Sequence, residues 1–162
     1  MKTKQVLNRF DKKYTIEEIF PHILDHQVNK KEYERKEFDG HLINFNSLRL
    51  ITFKQKGIIC SGCGIKGSFF VKEKHFKIEE PYHLNFYALD NNGNEILMTH
   101  DHIIPKFKGG KNIIENTQTM CTICNRLKDD PELTKCIICG GEKKATEPWC
   151  SGCEADSHLE RP

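Results

Sequence analysis

The N-terminal part of the chain carries apolar and polar residues with the spacing of a helix. The segment YTIEEIFPHILDHQ contains Thr15 and Glu18, a pair typical of a capping box at a helix N-terminus. Pro21 lies inside this pattern and is expected to kink or split the helix, because proline lacks the backbone N–H that the helix needs. The residues that would share one apolar face of this helix are Ile16, Ile19, Phe20, Ile23 and Leu24.

The central part of the chain alternates with the period of two that is typical of β-strands. A turn is expected at residues 39–40 (DG), and the segment HLINFNSLRLITFKQKG after it predicts one or two strands. The segment SFFVKEK predicts a further short strand. The clearest pattern is YHLNFYALDNNGNEILMTHDH, in which two β-rich arms flank residues 90–93 (DNNG), a sequence that favours a hairpin turn.

A loop and a helix are expected after this hairpin. The loop, PKFKGGKN, contains two glycines, and the second half of NTQTMCTICNRLKDD predicts a helix that ends before Pro131. Together the elements predict an α+β fold in three parts. These are an N-terminal helix and strand region packing on the core at residues 1–56, the core at 57–130, and a small C-terminal module at 131–162.

The composition and the start of the sequence predict a cytoplasmic protein. It has 162 residues, of which 37% are hydrophobic and 30% charged, and no apolar run approaches the roughly 20 residues of a membrane helix. The start, MKTKQVLNRFDKKYT, has no apolar segment behind its positive charges, so no signal peptide is expected. The net charge is only +2, so any site for a polyanion must be local.

The cysteines predict two structural zinc sites. All eight fall in C-x-x-C pairs, a spacing that lets two thiolates of one turn face the same ion, and tetrahedral zinc takes two such pairs. Cytosolic chains rarely hold disulfides, and redox motifs do not explain four repeats of the spacing. The pairs are Cys60/Cys63, Cys121/Cys124, Cys136/Cys139 and Cys150/Cys153.

The lengths of the intervening loops predict which pairs share a zinc. Ten residues separate the last two pairs, and so short a loop closes at a small entropy cost. The first two pairs would then meet across 57 intervening residues, and their zinc would clamp strand to helix. The predicted C-terminal zinc ribbon could contact DNA, contact a protein or stabilise the chain, and the sequence leaves these roles open.

Polar residues that favour chemistry collect around the predicted zinc clamp. His100, Asp101 and His102 end the second hairpin strand, Asn116 lies in the following loop, and Asn125 directly follows Cys124. Histidine and aspartate are poor strand residues, so their presence there indicates a site rather than packing.

The order of these residues, DHIIP…GG…N-x-Q…C-x-x-C-N-x-x-K, resembles the HNH endonuclease family, whose core is the ββα-metal fold. The likeness covers residues 57–128 and includes the preceding CSGC knuckle. Weaker likeness upstream, in SLRLITFKQKG and PYHLNFYAL, is to small HNH proteins encoded by tailed bacteriophages, which would place the chain in a host cytoplasm. The resemblance implies a zinc-stabilised nuclease that cuts DNA and leaves 5′-phosphate and 3′-hydroxyl ends.

Hydrolysis of a phosphodiester assigns expected roles to the motif residues. His102 should be the general base, because a neutral imidazole accepts a proton near pH 7. Asp101 and Asn125 should offer oxygen ligands to Mg²⁺ or Mn²⁺. The family implies that Asn116 is structural and pins the loop near His102. Family members often have histidine at the position of Asn125, and the asparagine here should disfavour zinc at the catalytic position.

Further cations are candidate DNA contacts. A lysine-rich loop and a helix in or near a DNA groove could hold phosphates, although ordinary solvated surface explains any single lysine equally well. The candidates are Lys106, Lys108, Lys111, Arg126 and Lys128. His100 could support the site or contact a phosphate, or it could be an ordinary histidine.

One alternative function stays open at the level of sequence. It is a non-catalytic zinc module that binds nucleic acid or protein. The oligomeric state, including a homodimer, and the cleavage preference stay open as well. A nuclease could serve in intron-like mobility, genome processing or attack on foreign DNA.

Overall fold

The computed structural model describes residues 7–29, 31–75 and 81–129, and within them it confirms the predicted α+β class. The elements are β1 Leu7–Tyr14, α1 Ile16–Ile19, β2 Lys36–Phe38, β3 His41–Ile43, α2 Leu48–Lys56, β4 Gly67–His75, β5 His83–Leu89, β6 Glu95–His102, β7 Thr117–Cys121 and α3 Thr122–Asp129. One antiparallel sheet has the order β1-β4-β5-β6-β7, and a separate hairpin pairs β2 with β3. In the described ranges no helix has the length and apolarity to cross a membrane.

The predicted capping box and proline break both occur at α1. The backbone N–H of Glu18 donates to the Thr15 hydroxyl at 3.2 Å, and the backbone N–H of Thr15 donates to the Glu18 carboxylate at 2.7 Å. The α-helix lasts only four residues and continues as a 3₁₀ turn at Phe20–His22, which contains Pro21. The proline therefore splits the helix, as predicted.

The segment after β3 corrects the strand prediction. His41–Ile43 is a strand, as predicted for the start of residues 41–57, but Leu48–Lys56 is the helix α2, so the strand prediction is wrong for that part. The Ser47 hydroxyl caps the helix by accepting from the backbone N–H of Leu50 at 3.3 Å. The helix buries five of its first six residues, so the approximate alternation in this sequence does not mark a half-buried strand.

The hairpin of β5 and β6 is confirmed at the predicted turn. Asp90 holds the turn, because its carboxylate accepts from the backbone N–H of Asn92 at 2.9 Å and of Asn94 at 2.7 Å. Gly93 supplies the positive φ of 79° that this turn requires. The hairpin brings the end of β6 beside β7, with Asp101 opposite Gln118.

The core lies between α2 and the sheet. The rings of Phe70 on β4 and Phe86 on β5 stack at 4.4 Å, and Phe53 of α2 packs against both. A buried contact of 2.9 Å between the hydroxyls of Thr52 and Thr117 joins α2 to β7. This packing fixes the ends of β6 and β7, where the motif residues lie.

Some predictions fall outside the described residues. The C-terminal zinc ribbon, with Cys136, Cys139, Cys150 and Cys153, is among them. The division into three parts at residues 56 and 130 likewise stays a prediction.

Candidate active site and metal centre

Four cysteines from distant parts of the chain form one cluster. The sulfur atoms of Cys60, Cys63, Cys121 and Cys124 all lie within 4.8 Å of one another, and the sulfurs of Cys63 and Cys121 are 3.8 Å apart. A tetrahedron with metal–sulfur bonds of about 2.3 Å has sulfur–sulfur edges of about 3.8 Å. The cluster therefore fits a structural zinc, and it unites the two pairs that the loop lengths predicted to meet.

Backbone N–H groups already point at these sulfurs. Cys121 N–H donates to Cys60 Sγ at 3.2 Å, and Cys124 N–H donates to Cys121 Sγ at 3.4 Å. Hydrogen bonding to Cys121, together with burial, raises the pKa of Cys124. Four adjacent thiolates need a cation to coexist, which the chemistry of a structural zinc supplies.

Gly62 lets the Cys60–Cys63 knuckle approach Cys124 of α3 closely. A Cβ added at Gly62 would lie 2.9 Å from Cys124 Sγ, so a larger residue there would push the two halves of the cluster apart. Gly64 has a φ of 78°, which lets the chain turn back after Cys63. The knuckle is tied to β7 by the Ser61 N–H, which donates to the Thr119 carbonyl at 2.9 Å.

A cleft of about 440 Å³ opens at the end of β6, beside the cysteine cluster. It is lined by His100, Asp101 and His102 from the strand and by Asn125 from α3. The loop after β6 contributes the remaining wall, which consists of Pro105, Lys106 and Phe107. The residues predicted for the base and for the metal ligands therefore face one space.

Asp101 is buried, and the two hydrogen bonds of its side chain are both accepted by the same carboxylate oxygen. It is 7% exposed, and its Oδ2 accepts from Gln118 Nε2 at 2.8 Å and from Lys128 Nζ at 2.6 Å. Lys128 also donates to the backbone carbonyl of His102 at 2.7 Å. This lysine therefore holds the strand end, and its candidate role as a phosphate contact stays a prediction.

The amide of Asn125 has a defined orientation. The hydroxyl of Thr99 donates to the Met120 carbonyl at 3.0 Å, so its single proton is used there. The same hydroxyl must then accept from Asn125 Nδ2, which lies 3.1 Å away. The nitrogen of the amide is thus directed to Thr99, and its oxygen is the atom left to bind a cation.

The two histidines of the cleft differ in their environments. His102 Nε2 lies 2.9 Å from Asn112 Oδ1, and because an amide oxygen only accepts, Nε2 must carry the proton. The ring of His100 lies 5.5 Å from that of His102, on the same side of the strand. Burial, followed by the nearby charge of His102, lowers the pKa of His100 to about 4, so His100 is neutral at pH 7.

Comparison with known families gives a match to this part of the chain. A family model described as HNH endonuclease matches residues 90–133. The matched residues, termed the HNH segment, are similar to that family. The match confirms the resemblance seen in the sequence, and it contains the β5–β6 turn, the cleft and the pair Cys121/Cys124. No curated protein and no solved structure matches the chain.

Asn116 fixes the loop of the HNH segment. Its Nδ2 donates to the carbonyls of Ile104 at 3.0 Å and Lys111 at 2.8 Å, and its Oδ1 accepts from the Ile104 N–H at 2.9 Å. Gly110 allows this approach, because an added Cβ would lie 1.7 Å from the Ile104 carbonyl oxygen. The loop between β6 and Asn116 therefore has one defined course, beginning beside His102.

The predicted DNA-contacting cations lie at the surface of the segment. Lys106, Lys108, Lys111 and Arg126 are exposed and form no ion pair with any residue in the described ranges. They are available to an anion from solvent. Sequence reasoning assigned no role to Thr99 and Asn112, whose positions beside Asn125 and His102 depend on side-chain directions that the motif alone does not encode.

Proposed function

We propose that the protein is a metal-dependent HNH endonuclease that hydrolyses phosphodiester bonds of DNA, by nicking or by cutting both strands. The observation that carries the proposal is the shared cleft. A histidine with a defined proton position and two oxygen donors line it, and they lie inside the segment that matches the family. The antiparallel pair β6–β7 with α3 would form the ββα-metal core.

His102 would be the general base. With its Nε2 proton donated to Asn112, the other ring nitrogen, Nδ1, is unprotonated and can take a proton from the attacking water. Asn116 would act indirectly, by keeping the loop that carries Asn112 in place. These roles need His102 in its neutral form, because a protonated imidazole has no lone pair with which to accept a proton.

Asp101 and Asn125 would hold the catalytic cation. Lys128 and Gln118 occupy Oδ2 of Asp101, so the ligand atom would be Oδ1, and Asn125 would add its amide oxygen. A bound Mg²⁺ or Mn²⁺ would neutralise phosphate charge and stabilise the departing 3′ oxygen. Two protein oxygens leave room for water and for the phosphate, which is the usual pattern for Mg²⁺.

The exposed cations would hold the DNA backbone near the cleft. Lys106, Lys108, Lys111 and Arg126 carry unpaired charge on the loop and helix that border it. Such contacts supply affinity that falls with salt and carries no sequence preference. Zinc at the cysteine cluster would be structural.

One observation favours the alternative of a non-catalytic zinc module. The ammonium group of Lys128 already lies 2.6 Å from Asp101, and a cation at the same carboxylate must tolerate that charge. If Lys128 prevents cation binding, the cleft could still bind nucleic acid without cutting it. The two functions differ in one measurable property, which is cleavage.

The deciding experiment is nicking of supercoiled plasmid DNA by zinc-loaded protein with Mg²⁺ or Mn²⁺. The variant His102→Ala should lower the rate by about 10² to 10⁴-fold, the usual contribution of a general base. His26→Ala is the matched control, since His26 is exposed and is not part of the cleft wall. If the folded wild type nicks no DNA with either ion, or if His102→Ala nicks as fast as wild type, the proposal is wrong.

A further inference from the structure

The loop of the HNH segment exposes apolar side chains to an unusual degree. Among the described residues, seven large hydrophobic side chains are exposed, and four of them lie between residues 103 and 113. Phe107 is the most exposed, at 82%. An aromatic ring in water forgoes the stabilisation that burial gives, so exposed apolar patches commonly mark binding surfaces.

The loop does not leave Phe107 free to fold back into the core. The ring lies on a 3₁₀ turn, Lys106–Lys108, in which the Lys108 N–H donates to the Pro105 carbonyl at 2.9 Å. Gly109 follows with a φ of 85° and donates to the Lys106 carbonyl at 3.0 Å. Asn116 fixes the ends of the same loop. The ring is therefore presented by an ordered turn.

The surroundings of Phe107 are cationic. Residues 103–114 contain three lysines and no acidic residue. The ammonium group of Lys108 lies 5.7 Å from the centre of the Phe107 ring, and Lys106 flanks it on the other side in sequence. An aromatic ring among unpaired cations complements a ligand that combines flat apolar faces with negative charge. Nucleic acid has that chemistry, and base faces stack on aromatic side chains.

Phe107 also lines the cleft that contains His102 and Asp101. A base stacked on the ring would therefore belong to a nucleotide close to the bond that is cut. Bases inside a perfect duplex are already stacked on their neighbours, so the ring can only stack on a base that is unpaired or displaced.

We propose that Phe107 is a stacking platform for an unpaired base, and that the preferred nucleic acid is single-stranded or locally unpaired at the cleft. The proposal rests on the proposed function for the identity of the ligand. It goes beyond that function by naming the substrate class and a recognition residue. Lys106 and Lys108 then hold the phosphates on either side of the stacked base.

The test measures binding, so that it does not depend on cleavage. Zinc-loaded protein without added Mg²⁺ is titrated into fluorescent oligonucleotides that are single-stranded, fully paired, or paired with an internal bulge. Phe107→Ala should weaken binding to the single strand and the bulge by about tenfold, the usual size of one lost stack, and change duplex binding by less than about twofold. Phe107→Trp should restore binding.

Two controls separate stacking from apolarity and from damage to the fold. Phe107→Leu keeps an apolar side chain but no ring face, so it should resemble Phe107→Ala. Leu42→Ala removes another exposed apolar side chain, 57% exposed on β3, and should bind as wild type. A 2-aminopurine base in the bulge should be quenched by wild type and not by Phe107→Ala.

Three outcomes would overturn the proposal. Equal losses on duplex and single strand would make Phe107 a general contact, and full binding by Phe107→Leu would remove the need for a ring. Unchanged binding by Phe107→Ala, with loss of self-association in sedimentation, would assign the ring to a contact between copies of the chain. Stacking without any plasmid nicking would keep this proposal and reject the nuclease, so the two failures are distinguishable.

Discussion

The cysteine cluster and the cleft are neighbours, but they differ in how complete their sets of ligand atoms are. In the cluster, all four sulfurs already lie within 4.8 Å of one another, and only the ion is needed to complete the site. In the cleft, the oxygen donors come from two residues, and part of each side chain is bound by the protein itself. Closed ligand sets are typical of structural zinc, and incomplete sets leave positions for water and substrate.

The two sites are connected through α3. Cys124 and Asn125 are consecutive in its first turns, and Lys128 lies three residues after Asn125, on the same face of the helix. Cys124 belongs to the cysteine cluster, while Asn125 and Lys128 contact Thr99 and Asp101 on β6. We therefore expect loss of the cluster to displace the cleft residues, and loss of a cleft contact to leave the cluster intact.

The largest expected effect tests this one-way dependence. In Cys121→Ser the cluster loses a buried sulfur, and because zinc binding energy is folding energy, the loss of stability should be on the order of 4 to 5 kcal/mol, the upper range for a single substitution. Cleavage should disappear with it. Thermal unfolding, followed by circular dichroism, and zinc content by elemental analysis measure the two changes.

Ser61→Ala is the control for this variant. Ser61 lies in the knuckle and is exposed, and its backbone rather than its side chain bonds to β7, so zinc content and melting temperature should match wild type. Addition of Mg²⁺ should not restore Cys121→Ser, whereas it should fully restore wild type from which only the catalytic ion was removed. A Cys121→Ser protein that keeps its fold and its cleavage rate would break the dependence.

A smaller effect is expected where only the orientation of the base changes. In Asn112→Ala the His102 ring loses the acceptor at 2.9 Å that fixes its proton on Nε2. The imidazole of His102 is still present and can still accept a proton, so cleavage should fall by about tenfold, less than for loss of the base itself. The melting temperature should be unchanged, because Asn112 is exposed.

The pH profile distinguishes orientation from a general structural effect. Asn112→Asp offers an acceptor with a negative charge, which favours protonated imidazole and should move the acid limb of the rate profile to higher pH. Asn112→Ala should lower the rate without that shift. Equal rates for both variants and wild type would mean that the contact does not position the base.

Features that depend on contacts between residues close in sequence could be predicted from the sequence. Local signals were sufficient for the capping box at Thr15 and for the turn at residues 90–93, since in both cases the deciding contacts join residues at most four positions apart. The pairing of distant cysteines could be predicted because spacing and loop length constrain it. These inferences need no knowledge of side-chain directions.

The remaining features depend on packing between distant segments. The sequence of α2 predicts a strand because its apolar and polar residues alternate approximately. β1 carries mainly polar and charged residues, and its register is broken between Arg9 and Lys13. In the cleft, the motif supplied the residue names but not their contacts. The series of hydrogen bonds from the Met120 carbonyl through Thr99 to Asn125 forms only because β6, β7 and α3 pack together.

The smallest effect on the cleavage rate concerns this series of hydrogen bonds. Thr99→Val keeps the shape of the side chain but removes the hydroxyl that accepts from Asn125 Nδ2, so the amide is no longer held with its oxygen free. Removal of a group that orients a metal ligand typically lowers metal affinity by about 10 to 100-fold. The Mn²⁺ concentration needed for half-maximal cleavage should rise accordingly, with little change in the rate at saturation.

Thr99→Ser keeps the hydroxyl and is the matched control, so its metal requirement should stay close to that of wild type. Thr99 and Asn125 are not part of the cysteine cluster, so the zinc content of wild type, Thr99→Val and Thr99→Ser should be equal. If Thr99→Val raised the metal requirement and also lost zinc, the hydroxyl would act on the position of α3 as a whole. If Val and Ser behaved alike, the orientation of Asn125 would not depend on the hydroxyl of Thr99.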